Sequence, residues 1–441
     1  MNKMRSTVDF HNGWTVAGVM YEPVLGGDLS PVFLLSDGNS VQQLQNPPSE
    51  IGGHRCLLKG EPIPPGYATF TPRDLDQIRS SIDPADLYRR MVSSIKACLY
   101  FPEENDFICD VLALFALHTH LLFSETAVYL HVTGRPATGK SRLLEVLARV
   151  AFVPQLTCST TKPNIFRRLD SSGGTLMLDE MEHVSGNSDK HGDLLDVLRG
   201  GYRRSTGVVQ RLDTAKDSFD PVDFDCFGPK VFGSIGPLEE AMSQRCIQIP
   251  TYLMPRDEVR KIPERVPWPT PVEFLQLSLW FGPPLSADWL VRHQDTLRRE
   301  DEVWSPLLFL AQWLEERGVH GLRSRIDQAK VSLKQETPGL VDETRSCLFM
   351  SALFELRRKK VCPSPKEVGD RAAQRFPQFF DEYPQVSGRL VSSCLKSRFG
   401  MRTDGSSRRP KYQDTLSHIK TMFHSRMGIS LEDWISDEGE M

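Results

Sequence analysis

Gly134-Arg135-Pro136-Ala137-Thr138-Gly139-Lys140-Ser141 has the pattern G-x-x-x-x-G-K-S, and its flanks decide the fold. Before it, Ala127 to Thr133 (AVYLHVT) is a short apolar, β-branched run of the kind that forms a buried strand. After it, Ser141 to Ala151 places Leu143, Val146, Leu147 and Val150 at helical spacing. Strand, glycine loop, helix is the setting in which this octapeptide binds phosphate. The glycines let backbone N–H groups wrap around phosphate oxygens, and the helix start adds the positive end of its dipole. The pattern assigns Lys140 to the β/γ-phosphates of a nucleotide and the Ser141 hydroxyl to Mg²⁺.

A second motif lies 38 residues beyond Ser141. Thr175-Leu176-Met177-Leu178 is a buried-strand run that ends in Asp179-Glu180. A strand ending there brings Asp179 beside the phosphate loop, where it can share Mg²⁺ with Ser141. Glu180 is then placed to take a proton from an attacking water. ATP with Mg²⁺ is the expected ligand pair. Lys230 to Ile235 reads as the next buried strand, with Ser234 at its tip as the candidate polar contact to the γ-phosphate or the water. Pro237 to Arg245 reads as a short helix whose last residue, Arg245, is a candidate arginine finger for a neighbouring subunit's nucleotide.

Strands at Pro154–Cys158, Thr175–Leu178, Lys230–Ile235 and Cys246–Tyr252 alternate with helices, which implies a parallel, doubly wound α/β sheet. Residues 71–261 form this P-loop domain with its preceding helices. Residues 1–70, rich in Gly and Pro, read as a small β-containing domain. Residues 262–362 read as a linker, irregular from Pro263 to Pro284, followed by a helical lid. Between the second motif and the next strand, Val208 to Asp213 and Val222 to Asp225 read as a β-hairpin with a polar tip. Arg204, Arg211 and Lys216 are its candidate contacts to a DNA backbone.

Residues 363–425 form a separate module. Helices over Ser364–Phe376 and Gln385–Phe399 precede Met401 to Tyr412 (MRTDGSSRRPKY), which reads as a wing with a turn at Asp404-Gly405. From Arg389 to Lys411 there are seven Lys/Arg and one Asp, in a chain whose net charge is −4. Helix, helix, basic wing is the order of a winged helix, and it nominates Arg389, Lys396, Arg402, Arg408, Arg409 and Lys411 as DNA contacts. Residues 426–441 form an acidic tail.

Bulk composition sets outer limits. A chain of 441 residues calls for more than one domain. Its nine cysteines are scattered with no C-x-x-C pair, which argues against a zinc site and fits a reducing, cytoplasmic setting. The longest apolar stretch, Ile108 to Phe123, is interrupted by Asp110, His118 and His120 and reads as a buried helix, so no membrane partner is expected.

Phe101-Pro102-Glu103, Leu112 to Thr119, GRPATGKS, TLMLDE, GGYRR (200–204) and the run from Gly228-Pro229-Lys230 through SQRCIQIP (243–250) occur in a characteristic order. In that order they resemble a P-loop ATPase domain of phage, prophage and plasmid replication-type proteins, similar to AAA+ and superfamily 3 helicase cores. Ser243-Gln244-Arg245-Cys246 is similar to the S-R-F finger of minichromosome-maintenance helicases. The resemblance covers about residues 85 to 255 and is strongest at the two nucleotide motifs. It implies ATP hydrolysis, DNA as partner and a homo-oligomeric ring, expected to be a hexamer. An ATP-driven helicase or translocase of a mobile genetic element is the first expectation. A replication initiator or helicase loader, and a defence or signalling ATPase, remain open beside it.

Overall fold

The computed structural model of the chain describes residues 7–10, 14–16, 19–28, 30–48, 50–51, 54–58, 69–134, 137–158, 162–181, 195, 197–212, 221–235, 238–255, 258–292, 299–335, 338–377, 386–399, 401, 403–404, 411–427, 430–431 and 435. Two compact units divide it, residues 1–333 and 334–441.

Up to residue 70 the described strands are short: β1 (Thr7–Phe10), β2 (Trp14–Val16), β3 (Val19–Gly26), β4 (Pro31–Ser36), β5 (Val41–Leu44), β6 (Glu50–Ile51), β7 (His54–Leu58) and β8 (Thr69–Phe70). They form two sheets, β1-β7-β6 and β2-β3-β4-β5 with β8 on β3. The second sheet does not stand alone. Val24 and Leu34 share a core with Phe70, Leu75 and Ile78 and with Val272, Leu275 and Leu279 of the helix Pro271–Arg292. That helix corrects the irregular connector expected over Pro263–Pro284. Phe274, Leu277, Leu285 and Trp289 are buried along it, and this burial outweighs the two missing backbone donors at Pro283 and Pro284.

The first unit is built on a five-stranded sheet of β9 (Tyr129–Thr133), β10 (Pro154–Thr157), β11 (Thr175–Leu178), β14 (Lys230–Ser234) and β15 (Cys246–Pro250), with the hairpin strands β12 (Val208–Leu212) and β13 (Pro221–Asp225) between β11 and β14 in sequence. The order is β10-β11-β14-β9-β15, and every pairing is parallel. Strand β14 therefore lies between the phosphate-loop strand β9 and the second-motif strand β11. This is an α/β fold, a parallel sheet flanked by helices. The central strands are mainly apolar because both of their faces are covered. All residues of β9, β11 and β14 are buried.

The helix Phe107–His120 is buried along its whole length. Its polar residues are matched inside the core. Asp110 accepts hydrogen bonds from the Tyr88 hydroxyl and, at 2.8 Å, from Arg325 Nε. His120 Nε2 lies 2.9 Å from the Val150 carbonyl, and its ring stacks on Phe274 at 4.3 Å. Burial holds His118 down to a pKa of about 3 and His120 down to about 4, so both are neutral at pH 7. Among the described residues, no helix is long and apolar enough to cross a membrane.

The second unit contains helices Pro338–Arg358, Pro365–Arg375, Gly388–Phe399 and Leu416–Met427. Ser364 caps the second of these with Glu367 in a capping box, and Pro365 sits in the first turn, as its sequence dictates. Phe349, Leu353, Val368, Leu395, Phe399 and Phe423 form the core. The helix 338–358, assigned to the lid from sequence, belongs to this unit because Leu348, Phe349 and Leu353 complete its apolar centre.

Candidate functional site

The phosphate loop leaves β9 at Gly134 and enters the helix Lys140–Leu147 through Gly139, whose φ of 91° is left-handed. Ala137 also has a positive φ, 67°. Such conformations are uncommon outside glycine and turn the chain's N–H groups toward a common centre. Arg135 and Pro136 lie outside the described residues. Lys140 Nζ donates to the Gly134 carbonyl at 2.9 Å, so its ammonium is held over the loop.

The second motif meets the first directly. Ser141 Oγ donates to Asp179 Oδ2 at 2.7 Å. The Glu180 N–H donates to Asp179 Oδ1 at 3.0 Å, and the Met181 N–H donates to the Gly233 carbonyl at 2.9 Å. Gly233 is required here by close approach, since a Cβ on it would lie 2.7 Å from Asp179 Oδ1. Asp179 is half-buried and Glu180 exposed, at the C-terminal edge of the sheet. Glu180 has φ +58°, a left-handed conformation that costs energy outside glycine and recurs at functional sites.

These residues suit Mg²⁺ and a triphosphate. Ser141 Oγ and Asp179 Oδ2 are two hard oxygen donors already within contact of one another. Among the described residues, no cluster of three or more His, Cys, Asp or Glu side chains has the geometry to hold a metal by itself. A magnesium ion between Ser141 and Asp179 would thus complete its shell with phosphate oxygens and water, the usual habit of that ion.

Ser234 has a different setting from the one its position at the strand tip implied. Its hydroxyl is buried and lies 2.7 Å from Nε2 of His131 on the adjacent strand. Burial pushes the His131 pKa down to about 3, so the ring is neutral. The outward residue at this tip is Ile235. Arg245 follows the helix Glu240–Ser243, is half-buried, donates to the Ala241 carbonyl, and holds its guanidinium 6.0 Å from the Tyr202 ring centre.

The candidate DNA contacts fall into three groups. Strands β12 and β13 form an antiparallel hairpin, seated on the helix Lys162–Ser172 by the Phe166–Phe224 ring contact at 4.7 Å. Arg211 lies on its first strand; its side chain and Lys216 lie outside the described residues. Arg204 is turned inward. Its Nη2 donates to the Leu122 carbonyl at 3.0 Å, and its guanidinium covers the Phe227 ring at 4.5 Å. That engagement takes Arg204 out of the set of outward-facing cations.

In the second unit Arg389, Lys396 and Lys411 are exposed. Asp404 and Lys411 close the base of the expected wing. The Asp404 N–H donates to the Lys411 carbonyl at 2.9 Å, and the Lys411 N–H returns to Asp404 Oδ1 at 3.2 Å. Arg402, Arg408 and Arg409 lie outside the described residues. A basic run that the sequence reading passed over, Arg358-Lys359-Lys360, is exposed at a helix end. The Tyr412 N–H donates to the Pro363 carbonyl, three residues beyond this run, at 2.9 Å. Cations at a helix C-terminus also answer its dipole.

No protein-family model matches the chain, and no curated protein matches it. Among solved structures it is similar to a full-length MCM homolog from Methanopyrus kandleri, at 13% identity over 72% of this chain and 76% of that one, with a TM-score of 0.33. It is similar to the SCCmec type IV Cch active helicase at 11% identity, over 92% of this chain and 80% of that one, with a TM-score of 0.31. It is also similar to the Aeropyrum pernix ORC1 protein in complex with DNA, at 13% identity over 76% of this chain and 96% of that one, with a TM-score of 0.23.

Proposed function

We propose that the chain is an ATP-hydrolysing motor that works on DNA, a helicase or translocase of a mobile genetic element that acts as a hexameric ring. The observation that carries the ATPase reading is the 2.7 Å hydrogen bond from Ser141 Oγ to Asp179 Oδ2. Two motifs 38 residues apart in sequence meet there on the two oxygens that would hold Mg²⁺. When bound, Mg²⁺ neutralises charge on the phosphates and fixes their orientation.

The chain's own residues supply the remainder. Lys140 exchanges the Gly134 carbonyl for β- and γ-phosphate oxygens. Backbone N–H groups of the loop from Ala137 to Ser141 surround the phosphates. Ser141 and Asp179 would hold the Mg²⁺ ion beside the triphosphate. Glu180, exposed beside Asp179, accepts a proton from the water that attacks the γ-phosphorus, and the bond to the ADP oxygen breaks. Arg245 of a neighbouring copy is proposed to meet the charge that develops on the transferring phosphoryl group, so that the site is complete only between subunits.

DNA is proposed to follow two basic surfaces. One is the hairpin with Arg211 and Lys216. The other is the C-terminal unit, read as winged-helix in type, with Arg389, Lys396, Arg402, Arg408, Arg409 and Lys411, extended by Arg358, Lys359 and Lys360. The mobile-element setting rests on the order of the sequence motifs. Glu180→Gln tests the reading: it retains ATP and loses hydrolysis by about 10²- to 10⁴-fold, the usual contribution of a general base. Wild-type hydrolysis stimulated by DNA with strand displacement supports a helicase. ATP-dependent DNA binding without displacement reassigns the chain to an initiator or loader, and assembly indifferent to DNA reassigns it to a signalling role. Hydrolysis by Glu180→Gln at the wild-type rate removes the second motif from the mechanism.

A further inference from the structure

We infer that Thr251 is a positioning residue for the phosphate loop, bracketing it in its phosphate-receiving shape; this rests on the nucleotide site proposed above. Thr251 directly follows β15, the strand beside β9. Its N–H donates to the Thr133 carbonyl at 2.8 Å. Its hydroxyl donates to the same carbonyl at 3.0 Å. Thr251 Oγ1 also lies 2.6 Å from Thr138 Oγ1. A hydroxyl carries one proton, so if that of Thr251 goes to Thr133, the Thr138 hydroxyl must be the donor in the second contact. The result is a chain of hydrogen bonds from Thr138 through Thr251 to Thr133. It joins the residue before the loop to one near its far end.

The first glycine of the motif fits beneath this bracket. A Cβ on Gly134 would lie 2.2 Å from Thr251 Oγ1 and 2.6 Å from Thr138 Oγ1. Gly134 therefore leaves room for the threonine pair as well as for phosphate. The outer end of the bracket is anchored in turn. Asn105 Nδ2 donates to the hydroxyl of the next residue, Tyr252, at 2.6 Å, and Phe101 meets the Tyr252 ring edge-on at 6.4 Å. A loop whose curvature is set before ligand arrives loses less conformational freedom on binding. The bracket holds the loop and not Glu180, the residue assigned to the water, so it acts on nucleotide affinity and leaves the chemical step alone.

Thr251→Val keeps the shape and removes the hydroxyl, whereas Thr251→Ser keeps the hydroxyl. Thr251→Val should weaken binding of a fluorescent ATP analogue and raise KM roughly fivefold to tenfold, the scale of one or two hydrogen bonds, with kcat nearly unchanged. Thr251→Ser should bind like wild type. The double variant Thr138→Val/Thr251→Val should be little worse than Thr251→Val, because both changes break the same hydrogen bond. In the nucleotide-free chain, Thr251→Val should speed amide exchange in the peptide 134–141 while leaving the global melting midpoint in place. Unchanged affinity with unchanged loop exchange overturns the bracket. So does a loss of affinity that tracks a lowered melting midpoint and is not rescued by serine. If the wild-type chain itself binds no nucleotide, the ATPase reading fails, and the exchange measurement still decides for or against the bracket.

Discussion

Two cations of the first unit and a basic set of the second are used in opposite ways. In the first, Lys230 and Arg204 are drawn into the fold. Lys230 is fully buried, donates to the Cys226 and Gly228 carbonyls at 2.9 Å each, and lies 4.9 Å from the centre of the Tyr129 ring. Arg204 is engaged by the Leu122 carbonyl and the Phe227 ring. In the C-terminal unit Arg358, Lys359, Lys360, Arg389, Lys396 and Lys411 remain exposed. A buried cation is tied to one geometry by the cost of leaving it without partners. An exposed cation is left for an anion that comes and goes. Charge counted along the sequence treats both kinds alike, which is why Arg204 stood among the DNA contacts.

The largest expected effect concerns Arg245, a cation of the first unit proposed to act outside it. Arg245→Ala should lower hydrolysis on the order of 10³-fold, the scale of a missing arginine finger. Mixed with Lys140→Ala chains it should regain part of the activity, since some interfaces then combine an intact loop with an intact arginine. Mixed assemblies that stay inactive would return Arg245 to the buried class, with the Ala241 carbonyl and Tyr202 as its purpose.

Next in size is the exposed set. Replacing Arg389, Lys396 and Lys411 by Ala should weaken DNA binding and reduce the log–log salt slope by about 2 to 3, one for each phosphate left without its cation. Basal ATP hydrolysis and the melting midpoint should hold. Titrations at several salt concentrations decide this, and an unchanged slope with intact folding would make the surface a protein-binding face. Arg204→Ala should show the reverse pattern: a loss of about 1–2 kcal/mol in urea unfolding, from the stranded Leu122 carbonyl and the uncovered Phe227 ring, with the salt slope unmoved.

The smallest effect is a pH dependence. Burial lowers the Lys230 pKa to about 8. The folded state therefore releases this proton at lower pH than the unfolded state, and stability rises with pH through that range. Between pH 7 and 8 the gain should be a few tenths of a kcal/mol, roughly what half-deprotonation of one group supplies. Lys230→Met should remove the increment. If wild type and variant share the same slope, the proton is released elsewhere.

How much of this could be read beforehand depended on how local each signal is. The strands of the core and the helix Phe107–His120 were legible because an apolar run buried on both faces looks the same whatever its neighbours. The glycine loop and Asp179-Glu180 stand out in the sequence because each is a short local pattern, and the proposal of a nucleotide site starts from them. The helix Pro271–Arg292 was not, because Pro283 and Pro284 signal a break that only packing against Val24, Leu34 and Phe70 overrides. Ser234 was found at its strand tip, yet its hydroxyl's direction depends on His131, a residue 103 positions away. Thr251 carried no signal at all, since it meets Thr138 across 113 residues.

The sequence by itself determined the α/β order of the core, the glycine loop, the carboxylate pair and the basic bias of the C-terminal unit. Each of these depends on neighbours within a turn, a strand or a short motif. The tertiary structure alone decided that β14 separates the two nucleotide motifs, that Ser141 meets Asp179, which cations face inward, and that Thr251 meets the loop at Thr138. Those are pairings between distant segments. They are set by how the buried strands order themselves within one sheet, and no local residue pattern records that order.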